Sequence, residues 1–360
     1  MASPKRTTWS SLRKNPLAFT GLIVIVLSTL LAIFGYFLVP DPTPFADNQT
    51  VEIQAKSPGY TQQFLAVPRR NVAKTSFFTR LLSGEPSRFT YVPISGYHVL
   101  TNGVSVDKYI DEDTSVVQRY TFTQLGSSDP STFITTKKYY LGTDAFGRDI
   151  LSRLIIGTRI SLAVGLIAVI ISLLVGVTLG ALAGYYRGKV DDAIMWLVNV
   201  TWSIPTLLLV FAITMSLGKG FWQIFIAVGL TLWVSVARLV RGQVLALKEM
   251  EFVQAARALG FTDLRIITRH ILPNMVGPLM VIAAGNFATA IIVEAGLSFL
   301  GIGVQPPQPS WGLMIKENYN FIITHNPMLA LIPGFAIMLL VLAFNLLGNG
   351  LRDAVDVREV

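Results

Sequence analysis

The sequence predicts an all-α polytopic membrane protein of six spanning helices, with a small β-rich insert between the first two. Three observations predict it. Hydrophobic residues make up 52% of the 360 residues and charged residues only 14%. Six windows, Phe19–Val39, Ile160–Gly184, Ile194–Leu217, Phe221–Ala237, Val276–Val293 and Met328–Leu347, contain no Asp, Glu, Lys or Arg. A spanning helix needs ~20 mostly apolar residues, because in hydrocarbon every backbone polar group must find its partner inside the segment. The stretch Pro40–Tyr140 has a different composition, with ten basic residues nearly balanced by nine acids.

The tail before the first window carries Lys5, Arg6, Arg13 and Lys14 without an acid, which places it on the cytoplasmic side. The first window is too long for the apolar core of a signal peptide, and no small-x-small cleavage site follows at Val39-Pro40-Asp41. Alternation then puts Tyr185–Asp192, Arg238–Asn274 and both termini inside, and Pro40–Tyr140 outside. The net charge of +8 follows this topology, since much of the basic excess lies at inner span ends. It is therefore not read as a nucleic-acid surface. Without cysteine the chain has no disulfides and no thiolate metal ligands.

Within residues 41–140, "FTYVPI", "YHVLTNGVSV" and "RYTFTQL" are rich in Thr, Tyr, Phe and Val, with Gly, Asn, Asp and Pro between them. That pattern predicts short strands and turns. After the insert, Asp144 with Arg148 and Asp149 with Arg153 are acid-to-base pairs at i, i+4. Each contributes ~0.2–0.5 kcal/mol in an exposed helix, so the spacing predicts an interfacial helix leading into the second span. In that span Gly176, Gly180 and Gly184 recur every four residues and predict a helix-packing seam. In the third, Pro205 predicts a kink.

The inner segment after the fourth span reads like soluble protein. Glu251–Leu259 favours helix, Gly260 suits the left-handed residue that ends one, and Thr262 with Asp263 can open a second helix, which Pro273 terminates. Ala255, Ala256 and Gly260 leave a nearly bare backbone surface with Arg257 beside it. Leu264, Ile267 and Ile271 recur at i, i+3, i+7 and predict one apolar face, with Arg265 and Arg269 opposite. The pattern fits an elbow that lies flat on the inner membrane surface and presents its turn to a partner.

Polar residues within the spans are few. Glu294, at the end of an apolar run, has two readings: it faces a translocation path and meets a cationic group, or it is paired or hydrated at the outer rim. Asn199 and Asn286 either line such a path or bond between helices. Trp311 and Tyr319 follow the proline-rich Gln305–Pro309 and can anchor at the outer interface. No catalytic residue is proposed: the chain has no GxxxxGK[ST] and no HExxH, and His98, His270 and His325 are scattered. No metal or cofactor is assigned to it.

The inner elbow resembles the coupling loop of bacterial ATP-binding-cassette (ABC) importer permeases, whose pattern is Glu-Ala-Ala, three residues, Gly, nine residues, Ile-x-Leu-Pro. Here it reads Gln254-Ala255-Ala256, Gly260, His270, Leu272-Pro273, with Gln254 in place of the acid and His270 in place of Ile. "LGTDAFGRDILSRLIIGTRISL", "GLSFLGIGVQPPQPSWG" and "NLLGNGLRDAVDVR" resemble the C-type permease subunit of dipeptide and oligopeptide importers. The likeness covers Leu141–Arg358 and, more weakly, the first span.

The resemblance implies a type I importer permease in the bacterial cytoplasmic membrane, divided into 1–40 (tail and first span), 41–140 (outer insert) and 141–360 (core, with the coupling loop at 242–274). It implies alternating access driven by two separate ATPase subunits that hold ATP and Mg, a second homologous permease, and an extracytoplasmic substrate-binding protein. Gln254, Ala255, Ala256, Arg257, Gly260, Leu272 and Pro273 are the coupling residues it points to. A nickel or other small-solute importer shares this architecture. An ion-coupled secondary transporter would need ionisable groups near the bilayer midplane, where these spans offer only Asn. A membrane-anchored enzyme or adhesin does not account for the elbow.

Overall fold

The computed structural model describes residues 12–70, 72, 75–218, 220–324 and 326–356. Lys5, Arg6, His325 and Arg358, named above, lie outside them. Helix α1 (Pro16–Leu38) leads into a five-stranded sheet: β1 (Tyr60–Pro68), β2 (Phe89–Leu100), β3 (Gly103–Tyr109), β4 (Ser115–Thr121) and β5 (Ile134–Tyr139). The helices that follow include α2 (Ile150–Tyr186), α3 (Gly188–Trp202), α4 (Thr206–Leu217), α5 (Phe221–Lys248), α6 (Glu251–Ala258), α7 (Asp263–Ile266), α8 (Val276–Phe299), α9 (Trp311–Asn318) and α10 (Met328–Asp356). The chain forms two units, one of 1–28, 161–305 and 336–360, the other of 29–160 and 306–335.

Among the described residues five helices are long and apolar enough to span a membrane, and α3 with α4 makes a sixth if the pair is one span. Their axes meet at 95°, a break rather than the kink expected at Pro205. Pro205 adopts an extended ψ of 129°, and Ser203 N–H and Oγ–H both donate to Asn199 O, closing α3 before the proline. The fourth span is longer than its charge-free window, because α5 continues to Lys248 and carries Arg238 and Arg241. Arg241 forms two bonds of 2.5 and 2.6 Å to Asp191 on α3.

The glycine seam predicted in the second span is a packing seam. A Cβ on Gly176 would stand 2.5 Å from Val236 Cβ, and one on Gly180 2.5 Å from Ala237 O. Absence of side chains there lets α2 and α5 touch along their backbones.

The sheet is antiparallel in the order β4-β3-β2-β1-β5. Alternation along β1 sends Phe64 to one face, with Ile53 and Tyr139, and Leu65 to the other, with Ile94, Val104, Val106, Leu125 and Phe133. Both faces of β1 are thus covered. In the same unit the Arg159 guanidinium donates to Ala32 O and Ile33 O of α1 and to Leu81 O and Leu82 O, which end the short helix Phe77–Ser83.

The interfacial helix expected ahead of the second span is absent up to Asp149. Gly142 and Gly147 take φ of +83° and +71°, so the segment folds as a tight turn, and helix begins only at Ile150. Asp144 and Arg148 do pair, at 2.6 Å, but inside the protein: Arg148, Arg153 and Asp144 are each at most 3% exposed at the side chain. Glu317 of α9 joins them, 2.6 Å from Arg148 and 3.3 Å from Arg153, and Asp47 lies 3.1 Å from Arg148. Asp149 instead caps α2 by accepting from Ser152 N–H and Oγ–H. Burial raises the stakes far above those of an exposed i, i+4 pair, since a buried charge that loses its partner costs ~3–5 kcal/mol.

Candidate functional site

The elbow is built by α6 and α7 about a left-handed glycine. Leu259 ends α6, and Gly260 at φ +79° turns the chain back. Phe261 N–H donates to Ala256 O (3.2 Å) and Gly260 N–H to Arg257 O (2.9 Å), the two bonds of a Schellman motif. No atom lies within 4 Å of the Gly260 Cβ position, so glycine is required there for its backbone and not for space. Thr262 stands at the N-cap of α7 without a side-chain bond. Asp263 accepts from the Tyr185 hydroxyl (2.6 Å), which in turn accepts from Arg257 (3.3 Å).

Pro273 does not terminate the second helix. The chain passes through a π turn (Ile267–Ile271) and a 3-10 turn (Leu272–Met275) directly into α8. Beside Pro273, Asn274 Nδ2 donates to His270 O at 2.7 Å. The π turn also shifts the helical phase. Ile266, Ile267 and Ile271 are the buried face, whereas Leu264, expected among them, is 71% exposed.

Beneath the elbow, Val253, Ala256, Ile266, Ile271 and Met275 pack with Ala181 and Tyr185 of α2 and Val236, Val240 and Val244 of α5. Of the small residues expected to be bare, Ala255 and Gly260 are exposed with Gln254 and Arg257, but Ala256 is only 4% exposed and belongs to this core. Met250, Phe252, Leu259 and Leu264 are large apolar side chains left exposed around them. A face anchored beneath by an apolar cluster, with large apolar side chains exposed on its open side, has the character of an interaction surface. Tyr185 and its bond to Asp263 were missed in the sequence because a single tyrosine at a span end carries no spacing signal.

The residues considered for a path are not gathered into one site. Asn199 is exposed on α3 and accepts from Arg238 (3.3 Å). Asn286 is buried on α8, where its Nδ2 donates to Ser172 Oγ of α2 and Leu232 O of α5, each at 3.4 Å. Glu294, two turns further along α8, is fully buried and accepts from Ser298 Oγ at 2.6 Å. Both α8 residues therefore face packed neighbours within the chain.

Residues 176–359 match the family of binding-protein-dependent transport system inner membrane components. Residues 3–58 match the N-terminal TM domain of oligopeptide transport permease C. The glutathione transport system permease protein GsiD of Pectobacterium atrosepticum is 45% identical over 61% of this chain and 72% of its own length. The dipeptide transport system permease protein DppC of Alkalihalophilus pseudofirmus is likewise 45% identical, over 61% and 72%. The oligopeptide transport system permease protein OppC of Bacillus subtilis is 40% identical over the same shares. The two family matches leave residues 59–175 between them, the interval that holds the sheet.

Proposed function

This chain belongs to the binding-protein-dependent transport system inner membrane components, the permeases of ABC importers, and from that premise we propose that it carries short peptides across the cytoplasmic membrane. The substrate class rests on the relatives' names, which specify glutathione, dipeptide and oligopeptide transport. As a multi-pass inner-membrane subunit it works with ATPase subunits. In the proposed assembly these number two, a second homologous permease completes the pore, and a binding protein delivers substrate from outside. Both termini and the elbow face the cytoplasm. ATP and Mg are held by the partners, and no catalytic residue is placed in this chain.

The observation that carries the reading is the elbow's two-sidedness. Its inner face is held to α2 and α5 by the Ile266–Ile271 cluster and the Tyr185–Asp263 bond, while Ala255, Leu259, Gly260 and Leu264 stay open. A docked ATPase that moves this face moves two spans with it. The energy of ATP binding then reaches the spans through packed contacts, and they alternate between inward-open and outward-open states.

The chain has no cysteine, so Ala255→Cys can be cross-linked to an ATPase subunit bearing one engineered cysteine in its docking cleft. The expected result is a specific cross-link, and ATP-dependent uptake of a labelled dipeptide into proteoliposomes only when both permeases and the ATPases are present. Uptake without ATPase subunits, or no cross-link above that from an exposed control such as Lys189→Cys, overturns the proposal.

A further inference from the structure

The sheet-bearing unit contains a cavity of about 140 Å³ lined by Asp41, Asn48, Lys137, Lys138, Tyr139 and Asp149. It adjoins a cleft of about 240 Å³ that shares Asp41, Asn48 and Lys137 and continues past Phe89 and Tyr91. Neither belongs to the elbow.

Two lining groups of opposite charge have unfilled bonding capacity. Asp149 is 4% exposed. Its Oδ2 accepts from Ser152, but its buried Oδ1 has no hydrogen-bond partner among the described residues. A buried acceptor left in this way costs ~1–3 kcal/mol or more, so native proteins rarely leave one without a purpose. Lys137 extends from β5 with its Nζ 3.1 Å from the centroid of the Tyr91 ring and 5.6 Å from that of Phe64. Among the described residues no ion pair or hydrogen bond within bonding distance holds it, although the Asp41 and Asp149 carboxylates attract it through space. The third charge at the cavity, Asp41, is already engaged by Thr43 N–H, Thr43 Oγ–H and Asn48 N–H. Lys138 is exposed at the rim.

We propose that this cavity binds the zwitterionic head of a free α-amino acid, its ammonium donating to Asp149 Oδ1 and its carboxylate accepting from Lys137 Nζ. Size permits it: one water needs ~10–15 Å³ of cavity volume of this kind, and about 140 Å³ is ample for the nitrogen, Cα and carboxylate of an amino acid. A side chain then projects into the adjoining cleft toward Phe89 and Tyr91. A lone anion would satisfy Lys137 and leave Asp149 Oδ1 buried and unbonded, and a lone cation would do the reverse. Burial disfavours both charges, moving the Lys137 amine down to about 8 and the Asp149 carboxyl up from its ordinary value. A ligand that brings the opposite charges favours both ionised forms. The inference concerns binding in this unit and does not rest on the transport reading.

The test is the rate at which an amine-acylating reagent modifies Lys137 in the full chain, held in phospholipid nanodiscs and read by mass spectrometry against exposed Lys189 in the same digest. The probes are L-alanine, N-acetylalanine, alaninamide and N-acetylalaninamide at equal concentration. L-alanine is expected to slow Lys137 modification at least threefold relative to Lys189, and the other three are expected to leave it unchanged. In Asp149→Asn the reagent still reaches Lys137 while protection by L-alanine is lost. No protection in the unaltered chain at tens of millimolar overturns the proposal. So does equal protection by N-acetylalanine or alaninamide, or protection that survives Asp149→Asn.

Discussion

The Tyr185 hydroxyl at the end of α2 donates to Asp263 at 2.6 Å and accepts from Arg257 at 3.3 Å, so one phenol touches both helices of the elbow. Tyr185→Phe keeps the ring in its apolar cluster and removes both bonds. Hydrogen bonds to charged groups contribute ~1.5–3 kcal/mol each at most, too little to unfold α6 and α7 but enough to loosen their hold on α2. The assembled complex with this variant is expected to hydrolyse ATP near the normal rate and to import severalfold less substrate per ATP. Measuring uptake and phosphate release in the same proteoliposomes checks this, and an unchanged ratio would show that the phenol is not part of the transmission.

Ala255 and Ala256 are adjacent in sequence but opposite in environment, the first open and the second 4% exposed. In single-cysteine variants, a water-soluble maleimide is expected to label Ala255→Cys at least tenfold faster than Ala256→Cys. Ala256→Leu overpacks the core beneath the elbow at ~1–3 kcal/mol. Ala255→Leu changes stability by less than about 0.5 kcal/mol while obstructing the partner. Thermal unfolding of the isolated chain beside ATPase co-purification separates the two effects.

Gly180 and Gly242 predict opposite signs for the same kind of change. A Cβ on Gly180 meets Ala237 O at 2.5 Å and Val240 Cβ at 2.8 Å, whereas none of the surroundings of Gly242 comes within 4 Å. Gly180→Ala forces α2 from α5 and should destabilise by about 1–3 kcal/mol. Gly242→Ala, exposed in the interior of α5, should stabilise by roughly 0.5–1 kcal/mol because glycine loses more backbone entropy than alanine in a helix. Melting temperatures in one detergent decide both.

What the sequence made legible divides along a physical line. Spans announce themselves because lipid excludes charge over a whole window, and the Gly260 turn does so because a left-handed residue between two helix-forming stretches has few alternatives. The 141–149 turn was hidden because Asp144 and Arg148 are four apart in a helix and also meet across a tight turn. The deciding partner, Glu317, is 169 positions from Arg148. Leu264 shares helical spacing with Ile267 and Ile271 yet leaves the buried face, because a π turn changes the phase of the pattern and no local composition announces such a turn. The sheet was legible in kind from its β-branched and aromatic residues. The cavity between Lys137 and Asp149 was not, since it exists only once β5 and the start of α2 are folded.

Glu317→Gln tests how strongly the buried charges depend on one another. Glu317 accepts from both Arg148 and Arg153, and its loss leaves two nearly inaccessible guanidinium groups with only Asp144 and Asp47 as acidic partners among the described residues. A cost of ~3–5 kcal/mol is expected, seen as a lower unfolding temperature and a lower yield. The loss should change little between 50 mM and 500 mM salt, because buried pairs are screened far less than exposed ones. A loss that vanishes at high salt would place the cluster in water.

Lys137 gives a pH dependence whose sign is opposite to that of most lysines with partners. Burial lowers its folded pKa to about 8 from an ordinary 10.5, so the folded chain releases this proton near pH 8 while the unfolded chain keeps it to about 10.5. Between those values the unfolded state binds more protons, and stability contributed by this site rises with pH. Lys137→Met abolishes the term. The melting temperature of the unaltered chain should therefore climb relative to that of Lys137→Met from pH 8 to pH 10, with no such relative change between pH 6 and pH 7. The acylation rate of Lys137 should reach half its maximum near pH 8, well below that of exposed Lys189 in the same molecule. Coincident profiles for the two amines would mean that Lys137 is hydrated, and the cavity open to water at that end.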